Sequence, residues 1–113
     1  IVVGIGMNGH IGFNEPGVSP NLFAHVIELD AVTLQVGQKY FSEPTPIQKG
    51  ITLGIAQFMQ SRMAILMASG SKKAAIIKKS MEQKVSVAVP ASFIRQHNNG
   101  FVLLDSDAAS LLN

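Results

Sequence analysis

The chain opens on an unbroken apolar stretch, Ile1 to Ile5, and similar stretches return at Met63 to Ala68 and Phe101 to Leu104. Runs this short and this rich in branched residues read as strands, and continuous apolarity predicts a strand covered on both faces, with neighbours on each side. A weaker alternation predicts another strand over His25 to Leu29, and Ile51 to Leu53 and Val85 to Val89 read as short extended pieces. Helical patterns fall between them. Asp30 can cap a helix from Ala31 to about Phe41. A second helix is expected near Gly54 to Ser61, Ser71 to Gln83 is the clearest, Ala91 to His97 reads as a helical turn, and Asp105 to Leu112 as a closing helix. Met7 to Ala24 is a long loop, because Pro16, Pro20 and three glycines exclude a continuous helix. Glu43 to Pro46 is a linker with two prolines, and Asn99-Gly100 marks a turn. Strands alternating with helices predict an α/β fold: an open, mainly parallel sheet flanked by helices.

The totals narrow the class. At 113 residues, 47% of them apolar and 14% charged, the chain fits one domain with a single core and no disordered tract. A net charge of +2 with scattered lysines gives no reason to expect nucleic acid. There is no cysteine, hence no disulfide framework and no thiolate metal site. No apolar run approaches the roughly 20 residues of a membrane span, and no signal peptide is visible. These features favour a soluble protein of a reducing compartment such as the cytoplasm, with no membrane partner. A first strand that already reads as interior suggests the C-terminal part of one longer domain whose N-terminal part lies outside this chain.

The chemistry concentrates in "GMNGHIGFNEPG", Gly6 to Gly17. Gly4, Gly6 and Gly9 spell G-x-G-x-x-G after a strand, and Glu28 and Asp30 follow about 20 residues on, the layout of a dinucleotide site. That site works by setting a pyrophosphate on the start of a helix. Here the helix would have to contain Gly12, Pro16, Gly17 and Pro20, so the pattern is a decoy. A plain turn is the other simple reading. Against it, His10 and Glu15 are the strongly proton-active groups of the stretch, and glycines allow the backbone to approach a ligand closely. The loop after a strand's carboxyl end is also where open α/β sheets bind ligands. An imidazole can take or give a proton near pH 7, and a carboxylate can fix its tautomer.

This loop resembles the G-x-G-x-[DN]-G-H-[IL]-[GA]-[FL]-N-E-P motif of the glucosamine-6-phosphate deaminase/isomerase family. The similarity continues through "HVIELD", "GITLGIAQFMQSRMAILMASGSKKAAI" and "VPASFIRQH", with "KGITLG" and "VAVPASF" nearest to the galactosamine-6-phosphate isomerase branch. The resemblance implies a Rossmann-like sugar-phosphate isomerase fold. It also implies conversion of a 2-amino-2-deoxyhexose 6-phosphate and water to a ketose 6-phosphate and ammonia, without metal or redox cofactor. On the family pattern His10 opens the sugar ring, supported by Asn8 and Glu15. Asn8 stands where some members carry aspartate. It cannot hold a negative charge, so His10 is expected to be less basic than in those members.

The same resemblance makes Lys73 of "ASGSKKAA" the phosphate lysine, with Ser71 capping the helix and Lys72 facing solvent. A helix start beside a lysine is by itself a ready anion site. Lys39 of "QKYF" stands where glucosamine-type members carry a phosphate-contacting arginine, supplying charge without the bidentate fork. The family's C2-proton base, an aspartate, and its glycine-rich phosphate loop belong to an earlier segment, so this chain alone is expected to be inactive. The basic residues of the family's allosteric site are replaced by Val18, His25 and Ile27. A homo-oligomer is a further possibility.

Other candidates read as structural. His25 lies in a strand and His97 at a helix end. Ser92 lacks the glycines of a nucleophile elbow. Lys78 and Lys79 suit the far end of their helix, and Met59, Met63, Met67 and Met81 read as core filling. Two alternatives stay open: a non-catalytic sugar-phosphate sensor of a transcriptional regulator, which would not need the His10–Glu15 pair, and a 6-phosphogluconolactonase-like hydrolase, which the N-E-P sequence disfavours.

Overall fold

The computed structural model describes residues 1–113. In chain order the regular elements are β1 (Val2–Gly4), β2 (His25–Glu28), α1 (Ala31–Gly37), β3 (Lys49–Thr52), α2 (Ile55–Gln60), β4 (Ala64–Ala68), α3 (Ala74–Glu82) and β5 (Gly100–Leu104). Short 3-10 segments occupy Gln38–Tyr40, Ser71–Lys73 and Pro90–Gln96. The α/β class follows: β4 is central in a parallel sheet of order β1-β4-β5, pairing Val3 with Leu66 on one side and Leu66 with Val102 on the other. β2 and β3 stand apart as an antiparallel ribbon running from the pair His25–Thr52 to Glu28–Lys49.

Alternation along β4 decides which face is covered. Ala64 and Leu66 are fully buried and join Ile55, Phe58, Ile77 and Ile94 in one core. Met67 points the other way and is 49% exposed, with Val2, Phe101 and Leu103 comparably open. Within this chain the apolar strands are covered on one face, and β1 pairs on one side, with β4. The core draws on α2, α3 and Pro90–Gln96, and all of them pack on the Leu66 side. Of the four methionines expected to fill the core, Met59 and Met81 pack on it, whereas Met63 and Met67 lie on open surface.

Two predicted elements are not formed. Val85 to Val89 is turn rather than strand. Pro90 cannot donate to a ladder, and the buried Ser92 hydroxyl holds the Ser86 backbone instead, accepting its N–H at 3.1 Å and donating to its carbonyl at 3.3 Å. Asp105 to Leu112 is a chain of turns, not a closing helix. The helix expected from Ser71 starts as a 3-10 turn, and Ser71 makes no cap bond. His25 and His97 are structural: one bonds the Phe23 carbonyl, the other takes the Asn99 N–H at 2.9 Å and reaches the Ser61 hydroxyl. Lys79 is exposed, while Lys78 bonds Glu82 and the Leu111 carbonyl. No helix is long and apolar enough to cross a membrane.

The Asp105 carboxylate ties the end of β5 to the turn after β4. It accepts the Gly70 N–H at 3.0 and 3.1 Å and the Ala108 N–H at 2.7 Å. The Ala108 and Gly70 bonds hold its pKa below the ordinary 3.8, outweighing the opposing effect of burial. A carboxyl lowered in this way stabilises the fold above its unfolded pKa and loses that contribution as pH falls through the folded value. Asp105→Asn is accordingly expected to be less stable than the parent at pH 7, and urea midpoints of the two should converge as pH falls below the folded carboxyl's value.

Candidate active site

The loop from Gly6 to Ala24 has no ladder of its own, so its backbone is held from outside. Gly17 donates to the Val87 carbonyl at 2.8 Å, and the Gly9 carbonyl accepts the Ala91 N–H at 2.9 Å. Buried Asn14 gives its amide to the Ile11 carbonyl at 3.0 Å and to the Leu53 carbonyl at 2.8 Å. Gly9 sits at φ +88°, where a side chain would be strained and its Cβ would press on Val89. No helix starts among these glycines, so the dinucleotide pattern has no pyrophosphate seat.

His10 is held on three sides. Gly6 passes directly under its ring, and a Cβ there would collide with Cε1, Nδ1 and Nε2. Its Nδ1 faces the Thr33 hydroxyl at 3.2 Å and Glu15 Oε2 at 3.5 Å. With Nδ1 occupied, Nε2 is the nitrogen left for a substrate. Glu15 is 6% exposed and Asn8 donates to its Oε2 at 2.8 Å, while Glu15 Oε1 is buried without a partner. Asn8 uses its whole amide: Oδ1 accepts the His10 N–H at 3.2 Å, and the second N–H goes to Asp30 Oδ2.

Asp30 and Thr33 are the residues that sequence reasoning missed. Asp30 caps α1 as expected, its Oδ1 accepting the Thr33 N–H at 2.8 Å, but its other oxygen enters the His10 cluster. Burial raises its carboxyl, yet bonds from the Thr33 backbone and side chain and from the Asn8 amide outweigh burial and hold it below the usual 3.8. The expectation of a single carboxylate behind His10 is therefore corrected: there are two. The available signal was the capping pattern itself, since a capping carboxylate needs only one of its oxygens.

The cleft in front of His10 has a volume of about 730 Å³, within the range of small-molecule sites. Gly4, Gly6, His10, Lys39, Lys49 and Lys73 line it, with an apolar wall that includes Phe13, Tyr40 and Phe41. Lys73 reaches back from its 3-10 turn to donate to the Ile5 carbonyl at 2.6 Å. Burial lowers its pKa, and the charge of Lys39 acts in the same direction. Lys39 lies 5.0 Å over the Tyr40 ring. Lys72 is exposed. His10 and three lysines, of which Lys39 and Lys73 repel one another, thus share one cavity, an arrangement suited to an anionic substrate that must exchange a proton.

No protein-family model matches the chain. Over nearly its whole length, however, the chain is homologous to glucosamine-6-phosphate deaminases. It is 44% identical over 113 residues to that of Streptococcus equi subsp. zooepidemicus, covering 99% of this chain and 48% of the relative. It is 46% identical over 112 residues to that of Geobacillus sp., covering 98% and 45%. The fold superposes on a monomeric glucosamine-6-phosphate deaminase of the NagB superfamily with a TM-score of 0.91 at 40% identity, over 97% of this chain and 46% of that one. A 6-phosphogluconolactonase from Trypanosoma brucei shares the fold alone, at a TM-score of 0.73 and 23% identity. The chain thus spans about half the length of the relatives it matches.

Because Gly6 carries the imidazole against its Cα, Gly6→Ala is expected to displace the ring and to destabilise the protein by about 1–3 kcal/mol. Nitrogen NMR of the histidine ring should then show Nδ1 released from its hydrogen bonds, with the far-ultraviolet dichroism retained.

Proposed function

We propose that this chain carries the ring-opening and phosphate-holding half of a 2-amino-2-deoxyhexose 6-phosphate deaminase. One observation carries the reading: an imidazole backed by a carboxylate opens onto the same cleft as Lys73 and Lys39. A sugar phosphate supplies both things this cleft lacks, a dianion for the lysines and a hemiacetal for the imidazole. In ring opening, His10 Nε2 takes the anomeric hydroxyl proton, the bond from C1 to the ring oxygen breaks, and the same proton passes to that oxygen as C1 becomes a carbonyl. Glu15 and Thr33 hold Nδ1, which keeps Nε2 aimed at the sugar and stabilises the transient imidazolium.

The steps that follow move the C2 hydrogen to C1 and release the amine as ammonia with water as co-substrate. The base for C2 is not among the residues assigned here. The phosphate is held by Lys73, with Lys39 as the second cation; a lysine gives charge without the planar fork, so the pair selects for anionic charge more than for oxygen geometry. The relatives carry the glucosamine name. The stretches that resemble the galactosamine branch make the 4-epimer the second sugar to test.

The intact protein should release ammonia from glucosamine 6-phosphate or galactosamine 6-phosphate, and release from neither overturns the reading. His10→Gln is expected to lower kcat by about 10²–10⁴-fold. Lys73→Met should raise KM strongly, and an unphosphorylated hexosamine should be insensitive to that change.

A further inference from the structure

We propose that Asp30 is a positioning residue for His10, acting through Asn8, Glu15 and Thr33 rather than serving only as the cap of α1. The geometry that points to this is the division of labour in one amide. Asn8 has two N–H groups and gives one to Glu15 and one to Asp30, so a single neutral side chain clamps two carboxylates together behind the imidazole. An aspartate at position 8 could not do this, because it has no donors. Thr33 closes the circuit from the other side: its backbone N–H is held by Asp30 Oδ1 while its hydroxyl meets His10 Nδ1.

The charged and titratable groups that face His10 come from every surrounding element. Glu15 belongs to the loop and Asp30 to the start of α1. Lys39, Lys49 and Lys73 look into the same cleft from beyond α1, from β3 and from the turn before α3. Three cations therefore share the cleft with the imidazole, against one carboxylate at its Nδ1. Asp30 supplies the second. The assignment rests on the reading of His10 as the proton carrier. It adds that the charge behind that carrier is contributed jointly by the loop and by a helix cap.

The test is a histidine-ring carbon NMR titration of His10 in the intact protein. Asp30→Asn keeps a capping oxygen and removes the charge, and it is expected to lower the His10 midpoint by about 0.5–1 pH unit. Asn8→Leu, which removes the donors that join the two carboxylates, is expected to lower the midpoint by itself and to leave Asp30→Asn with little further effect. The limb of the kcat profile that follows the imidazole should move with it, while KM for the sugar phosphate stays within about twofold, since Asp30 touches no substrate. An unmoved midpoint in Asp30→Asn overturns the proposal and leaves Asp30 a helix cap; a full further shift when Asp30→Asn is added to Asn8→Leu overturns the route through Asn8. Should Asp30→Asn not fold, Asp30→Ser caps equally and carries the same test. The titration needs no turnover, so it stands apart from the ammonia assay, whose failure would overturn the deaminase reading alone.

Discussion

Everything at the candidate site depends on how a stretch of backbone without a ladder is kept in place. From Gly6 to Ala24 the chain makes neither helix nor strand. Each buried N–H and carbonyl in it must nevertheless find a partner. Asn14 is the main solution, bonding within the loop and across to the end of β3, while Gly9 and Gly17 trade backbone bonds with the turn around Pro90. These clamps come from three separate parts of the chain. They explain how a loop this rich in glycine can hold an imidazole within 3.5 Å of its partners instead of letting it swing.

The clamps also set the division between core and site. Leu66, Ile77 and Ile55 form an apolar interior, and the sheet's carboxyl ends deliver Gly4, Gly6 and Ala68 to its rim. The polar cluster lies at that rim, Glu15 and Thr33 buried and Asn8 and Asp30 half-buried, and each carboxylate is supplied with donors. Burial of Glu15 would be unfavourable on its own; the Asn8 amide and the adjacent imidazole are what make it tolerable. The site is therefore stable only as a set, and its parts come from the loop after β1 and from the start of α1.

Much of this could be read from the residues. The strands at Ile1, Met63 and Phe101 and the helix ending at Gln83 carry strong local patterns, and the glycine-rich loop marked its own chemistry by the residues it could not need for a turn. What failed were elements decided by distant contacts. Val85 to Val89 has strand-like side chains, but Ser92 captures its backbone before a ladder can. The face that Met67 presents could not be distinguished from the face of Leu66, because both are apolar and only the placement of the helices separates them. Asp30 was hidden for a different reason. A capping carboxylate is a complete explanation of an aspartate before a helix, and nothing local announces that its second oxygen has other work.

The Gly70 turn has a consequence for how an anion is recognised. Its exposed N–H, which a phosphate could have taken, is already filled by Asp105, and the helix beyond it begins with Lys73 instead of a free run of amides. On the proposed reading the charge that meets an anion at this turn would be the Lys73 ammonium, anchored on the Ile5 carbonyl, and not the Gly70 amide.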